Sequence, residues 1–143
     1  MEIKKLTAED LQNIIEISNE QFNDGWTSSQ ISEALIMPNY ICIGLEQQNK
    51  IVSYCLALDS LDDINILSIA TKQEKKQKGY ASFLVEYLSQ LAQKENKTLS
   101  LEVKEHNNIA ISFYEKMGFK KIHTRKNYYK DGSDACIMFK FLP

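Results

Sequence analysis

The sequence predicts a mixed three-layer α/β domain, and three observations carry that prediction. The 143 residues are 43% hydrophobic and 25% charged, enough apolar material for one core in a chain too short for two, so a single domain over residues 1–143 is expected. β-rich and helix-periodic segments alternate in the order β α α β β β α β α β β, which calls for helices packed on a sheet. No Pro/Gly-rich linker, composition shift or internal repeat interrupts that order.

Ile3 to Leu6 reads as a short strand. Thr7 then offers an N-cap with an acid, Asp10, three residues on, a variant of the capping box. Leu11, Ile14, Ile15 and Ser18 follow at helical spacing, predicting a helix to about Asn19. Thr27-Ser28-Ser29-Gln30 is a T-x-x-Q box opening a second helix over Ile31, Ala34 and Leu35, which Pro38 stops. Tyr40 to Leu45 and Ile51 to Leu58, separated by Gln47-Gln48-Asn49, read as a hairpin. Ile64 to Thr71 is apolar on both faces, as an inner strand is.

Beyond Lys72 to Lys78, Tyr80, Phe83, Leu84, Tyr87, Leu88 and Leu91 recur at i, i+3, i+4, i+7, i+8 and i+11, a long amphipathic helix. Thr98 to Val103 is a strand with Leu99, Leu101 and Val103 on one face. Asn107 to Met117 is a helix closed by Gly118. Strands near Lys120 to Arg125 and Ala135 to Leu142 finish the chain, with Asp131-Gly132 in the turn region between them.

Composition excludes several function classes. Lys plus Arg number 17 against 19 Asp plus Glu, so the cation excess of a nucleic-acid binder is missing. The first twenty residues carry Glu2, Lys4, Lys5, Glu9 and Asp10, so no signal peptide is expected, and no run is long enough for a membrane span. Cys42, Cys55 and Cys136 are odd in number and sit in apolar segments. They are expected to be buried reduced thiols of a cytoplasmic protein, and the spacing of Cys with His106 and His123 suggests no metal site.

Three segments carry candidate chemistry. From Ile69 to Ala81 an inner strand, a lysine-rich loop and Gly79 lead into a long helix. The first turn of a helix has N–H groups without intrahelical partners, and glycine permits a phosphate to approach them. Lys72, Lys75, Lys76 and Lys78 add cations; the plainer alternative is an ordinary helix start with solvated lysines. In the second segment, Glu102 points opposite to Leu101 and Val103 near the carboxyl end of an inner strand, where ligands of open α/β sheets collect. A carboxylate there can act as a general base, or simply be a solvated side chain. In the third, Asn107 and Tyr114 are seven residues apart on one helix. They share a stripe distinct from the one that Ala110, Phe113 and Met117 would bury. Asn107 suits an N-cap; Tyr114 suits either a phenolic proton donor or a packing residue.

Gly79-Tyr80-Ala81, Leu99 to Val103, Asn107-Asn108-x-Ala110-x-x-Phe113-Tyr114-Glu115-x-x-Gly118-Phe119, Arg125-Lys126-Asn127-Tyr128-Tyr129 and Asp134 to Met138, with the early Phe22 and Trp26, together resemble the GNAT N-acetyltransferase superfamily. Within it the resemblance is to the bacterial ribosomal-protein-alanine N-acetyltransferases. It covers nearly the whole chain, with the helix block its most specific part. It implies the GNAT fold, a mixed and mostly antiparallel sheet with helices on both faces, and acetyl-CoA as co-substrate.

Carried over by position, the resemblance implies that the main chain of Ile69, Ala70 and Thr71 binds the pantetheine arm. Lys76, Gln77, Lys78, Gly79, Tyr80 and Ala81 would cradle the pyrophosphate, and Asn107 would touch the cofactor. Glu102 would accept a proton, Tyr114 would donate one to the departing thiolate, and Phe22, Trp26 and Tyr128 would bind the acceptor. Two positions depart from the family pattern. Lys76 stands where Gln or Arg is usual, and Gly25-Trp26 stands where Pro-Trp is common.

The expected acceptor is the N-terminal amine of a ribosomal protein, attacked directly in a ternary complex, with no metal, nucleic acid or membrane involved and the chain a monomer. The alternatives are acetylation of a small-molecule amine, or an acyl-CoA-binding sensor without chemistry. A nucleotide-phosphate hydrolase is disfavoured because the loop lacks the G-K-[ST] ending. Asp59, Asp62 and Asp63 form either an attraction for cationic acceptors or a solvated turn.

Overall fold

The first elements begin where side chains close their own backbone. The computed structural model describes residues 1–23 and 25–142. Strand β1 is Lys4–Lys5, shorter than expected because it lies at the sheet edge and pairs only with Ile43 and Gly44. Thr7 caps a 3-10 turn, Ala8–Asp10, in which the Thr7 N–H donates to Asp10 Oδ2 at 2.9 Å. Helix α1, Leu11–Gln21, follows directly. The T-x-x-Q box is reciprocal: the Thr27 N–H donates to Gln30 Oε1 at 2.8 Å and the Gln30 N–H to Thr27 Oγ1 at 3.1 Å, opening α2, Ser28–Ile36.

Strands β2, Tyr40–Gln47, and β3, Lys50–Asp59, form the expected hairpin. Its connection is one residue shorter than the sequence suggests, because Gln47 stays in the ladder opposite Lys50. The two turn residues, Gln48 and Asn49, take φ of 51° and 64°, the left-handed pair whose twist matches a hairpin. The order continues with β4 (Asp63–Thr71), α3 (Tyr80–Lys94), β5 (Thr98–Lys104), α4 (Asn108–Lys116), β6 (Lys120–Arg125) and β7 (Ala135–Lys140). The seven strands run β1-β2-β3-β4-β5-β7-β6 across one sheet. β4 and β5 are parallel, and the β1–β2, β2–β3, β5–β7 and β6–β7 pairs are antiparallel. This is the mixed, mostly antiparallel sheet that the resemblance implies.

Residue contacts gather the chain into two compact units, residues 1–59 with 67–85, and residues 60–66 with those from 86 onward. In the first, Leu6, Ile14, Ile17, Ile31, Tyr54 and Leu56 form the core, with Trp26 packed against it. The buried Tyr54 phenol meets Ser68 Oγ at 3.0 Å, so its polar tip is satisfied.

In the second unit Leu99, Leu101 and Val103 are buried as expected, together with Ala135, Cys136 and Met138 of β7. Ser100, also buried, donates to Asp63 Oδ2 at 2.7 Å and accepts from Asn65 Nδ2 at 2.9 Å. Asp63 is thereby tied into the parallel strand pair rather than left in a solvated turn, while Asp62 is exposed.

Helix α3 turns differently from its periodicity. Tyr80, Leu84 and Leu88 are buried, but Phe83 and Tyr87 are 36% and 37% exposed, and Val85 and Ala92 take the inward places. Spacing fixes which residues share a face of the helix, but not where along that face the covered centre falls.

Candidate active site

In the first unit, β4 ends at Thr71 and the chain enters a 3-10 turn, Gln73–Lys75. Ala70 and Thr71 are buried and Ile69 partly so. Ser53 Oγ donates to the Ala70 carbonyl at 3.2 Å and lies 2.9 Å from Thr71 Oγ1, while the Lys72 N–H donates to the Val52 carbonyl at 2.8 Å. One edge of this segment is therefore fixed on β3. The Gln73 N–H donates to Glu20 Oε1 at 2.6 Å. That bond, with help from Gln21, Lys72 and Lys76, holds the Glu20 carboxyl below its ordinary range.

The loop then places two residues in left-handed backbone, Gln77 at φ 62° and Gly79 at φ 85°. The Gly79 carbonyl accepts the Phe83 N–H at 3.0 Å, so Gly79 is the N-cap residue of α3. The amides of the first turn point past it without intrahelical acceptors. A Cβ built on Gly79 would meet no heavy atom within 4 Å. Glycine is there for its backbone conformation and for the open approach to the helix N-terminus, not because the chain is crowded. Lys76, Gln77 and Lys78 are exposed, Ala81 is partly buried, and Tyr80 is buried with its phenol accepting from Gln47 Nε2. Phe22 caps the end of α1 at 38% exposure. A Cβ at Gly25 would lie 3.0 Å from the Phe22 Cβ, so glycine at this departure from the family pattern allows a close Phe22 contact.

In the second unit the register places Glu102 opposite Ile137, and both Lys104 and Arg125 opposite Ala135. Directly opposed residues share a face, so Glu102, Lys104 and Arg125 all stand on one side of the β5–β7–β6 ribbon. Arg125 Nη1 comes within 3.8 Å of Glu102 Oε1, with side-chain exposures of 52% and 30%. An ion pair this exposed contributes about 0–1 kcal/mol. The Glu102 carboxylate beside it raises the pKa of the Tyr128 phenol, and the Arg125 guanidinium lies 5.5 Å from the Tyr128 ring centroid.

Tyr129 packs edge-on to Tyr128 with centroids 5.2 Å apart, and Lys104 Nζ sits 5.3 Å from the Tyr129 ring. Burial, then the Glu102 charge, pushes the Tyr129 phenol up to about 12. The loop carrying these tyrosines is fixed by the Asn127 N–H on Asp134 Oδ1 at 2.8 Å, and by Asp131, whose carboxylate accepts the Ser133 hydroxyl at 2.5 Å and amide at 2.9 Å. Those Ser133 bonds hold Asp131 well below the usual carboxylate range.

Helix α4 contributes differently from its expected stripe. Asn107 is the N-cap, its Oδ1 accepting the Ala110 N–H at 3.1 Å, and is exposed. Tyr114 is the buried residue of the helix, while Ala110, Phe113 and Met117 are only partly covered. The ring of Tyr114 meets Phe113 and Phe119 edge-on at 5.2 and 5.5 Å, contacts worth more than their buried area alone. Gly118, at φ 99°, allows the turn that brings Phe119 back onto it.

The structure thus brings Glu102 and Tyr128 together and adds Arg125, Tyr129 and Lys104, which the sequence reading did not assign to a site. Their signal was the alternation of β5 combined with the R-x-x-Y-Y run, readable only once β6 and β7 are in register. The cysteines are free and buried. Burial pushes the Cys42 thiol up to about 11 and raises those of Cys55 and Cys136, so all three are poor nucleophiles. Among the described residues no group of His, Cys, Asp and Glu is placed to hold a metal ion, and no helix is long and apolar enough to cross a membrane.

Comparison with known proteins identifies the family and the fold. The sequence profile described as the acetyltransferase (GNAT) family matches residues 11–119. A Haemophilus ducreyi protein named ribosomal protein bS18-alanine N-acetyltransferase is 29% identical, over 98% of this chain and 99% of that one. The crystal structure of the Escherichia coli ribosomal-protein-S18-alanine N-acetyltransferase superposes with a TM-score of 0.89 at 29% identity, covering 97% of this chain and 92% of that one. Arabidopsis thaliana NAA60, solved in complex with acetyl-CoA, shares the fold with a TM-score of 0.85 at 15% identity and 97% coverage of both chains. The left-handed glycine at the head of α3, the partly exposed carboxylate of β5 and the profile match over most of the length lead to one statement: the chain belongs to the acetyltransferase (GNAT) family and is an N-acetyltransferase.

Proposed function

We propose that the protein transfers an acetyl group from acetyl-CoA directly to the N-terminal α-amine of a protein, the acceptor being the N-terminal alanine of a small-subunit ribosomal protein. The observation that carries this reading is Glu102, a partly exposed carboxylate on β5 with Arg125 3.8 Å away and Tyr128 beside it. The names of relatives about 30% identical along the whole chain support the acceptor class.

The residues present fit acetyl-CoA, which supplies an acetyl group activated as a thioester. Gly79 leaves room at the helix N-terminus, where amides and the surrounding lysines suit a pyrophosphate. In this reading the main chain of Ile69, Ala70 and Thr71 holds the pantetheine arm, residues 76–81 hold the pyrophosphate, and Asn107 touches the cofactor. Phe22, Trp26 and Tyr128 receive the acceptor. Glu102 takes a proton from the acceptor nitrogen as it attacks, through water or directly. The neutral nitrogen attacks the thioester carbon, the C–S bond breaks, Tyr114 gives its proton to the leaving sulfur, and the proton collected by Glu102 returns through water to the phenolate.

The α-amine suits such a site. Its pKa is about 7.7–8.0 against about 10.4 for lysine, so at pH 7.5 deprotonation costs a few tenths of a kcal/mol for the first and about 4 for the second. Mixing acetyl-CoA with a peptide beginning in alanine should release thiol, and the same peptide with a blocked N-terminus should not; equal release from both would overturn the α-amine assignment.

Two variants probe the remaining roles. Tyr114→Phe keeps both edge-to-face ring contacts and is expected to lower kcat by about 10²-fold, the low end for general acid catalysis because a thiolate leaves readily. A kcat equal to wild type removes Tyr114 from proton transfer. Gly79→Ala forces a Cβ into left-handed backbone at a cost of roughly 1 kcal/mol. It is expected to raise KM for acetyl-CoA severalfold while the acceptor KM holds, as steady-state titration of each substrate would show.

A further inference from the structure

Glu102 is the base in the reading above, yet in the free chain its carboxylate already has a cation beside it. Arg125 reaches it from β6, with β7 lying between their strands. Two strand spacings separate the backbones, roughly 9.6 Å, and only a long side chain spans that. Arg125 is not fixed there by burial, being 52% exposed. The face of the Tyr128 ring on one side and the Glu102 carboxylate on the other define its position. Of the other basic residues the register puts on this face, Lys120, His123 and Lys104, Lys104 is engaged by Asp131 at 3.2 Å and lies over the Tyr129 ring. Among the described residues Arg125 is the cation that comes within ion-pair distance of Glu102.

We propose that Arg125 is a specificity-determining residue, a resident cation at Glu102 that favours acceptors arriving as neutral amines over those arriving as cations. This rests on the α-amine reading and extends it. At pH 7.5 about a quarter to two-fifths of an α-amine is neutral, whereas a lysine side chain or a polyamine arrives almost wholly protonated. A neutral nitrogen can approach Glu102 through water with the guanidinium in place. An ammonium must displace that guanidinium from the carboxylate or lie against a like charge, and like-charge juxtaposition is a strong means of rejecting a partner. The pair is exposed enough to be displaced, so Arg125 biases the choice of acceptor without blocking the site.

The test compares kcat/KM for a peptide with a free N-terminal alanine against two cationic acceptors, an N-blocked lysine peptide and spermidine. Wild type, Arg125→Met and Arg125→Lys are measured alike. The expected result is that Arg125→Met lowers the α-amine preference about tenfold, chiefly through a lower KM for the cationic acceptors. Arg125→Lys should restore most of the preference. A variant that merely loosened the β6 end would slow all three acceptors together and leave the ratio unchanged; an unchanged or rising ratio overturns the proposal. If wild type shows no α-amine preference, the α-amine reading fails first and this one with it, whereas a wild-type preference that survives Arg125→Met defeats only the role of Arg125.

Discussion

Glu102→Gln is expected to lower kcat toward an α-amine acceptor by about 10²–10⁴-fold, the usual contribution of a general base. The amide keeps the shape of the side chain, but it cannot take a proton from the acceptor nitrogen. Its effect on folding should be small. The Glu102 side chain is 30% exposed and its ion partner 52% exposed, so the lost pairing accounts for at most about 1 kcal/mol. Raising the pH should partly rescue the variant, because more of the acceptor is then neutral on arrival, and a pH–rate profile of both forms would show it. Thiol release at the wild-type rate would mean that the acceptor loses its proton to solvent or to another group.

Leu56→Ala is expected to do the reverse, lowering stability by about 2–5 kcal/mol with kcat of the remaining folded protein unchanged. Leu56 lies on β3 opposite Cys42, is fully buried, and belongs to the first unit's core with Ile14, Ile31 and Tyr54. Removing its branched end leaves a cavity that strand neighbours held in a hydrogen-bonded ladder cannot close. For a chain of this size a midpoint shift of roughly 10 °C follows, and thermal melts read beside initial rates would check it. A fall below about 1 kcal/mol would show that the hairpin collapses onto the gap. The two variants together separate what holds the chain folded from what moves protons.

The legible parts of the fold were those whose cause is local. Thr7 with Asp10 and Thr27 with Gln30 satisfy helix amides three residues away, so a four-residue window contains the whole interaction. Gly79 and Gly118 both take left-handed backbone, a demand visible as glycine beside a helical period. The alternation of Leu99, Leu101 and Val103 placed Glu102 on the opposite face with no knowledge of its neighbours.

What the sequence alone left open depends on how distant segments meet. Phe83 and Tyr87 keep the helical period but lie at its exposed flank, and Tyr114 rather than Phe113 is the covered ring of α4; the surface packed against a helix decides such choices.

The sequence by itself determined the order of the elements, the glycine at the head of α3 and the face of Glu102, because capping, periodicity and glycine conformation act over a few residues. Only the tertiary structure decided that Arg125 and Tyr128 converge on Glu102. The two strands carrying Arg125 and Glu102 meet through β7, and an irregularity between Lys121 and His123 shifts the register of β6. A slip of one residue turns every side chain to the other face, so the register, and not the motif, selects which charge stands beside Glu102.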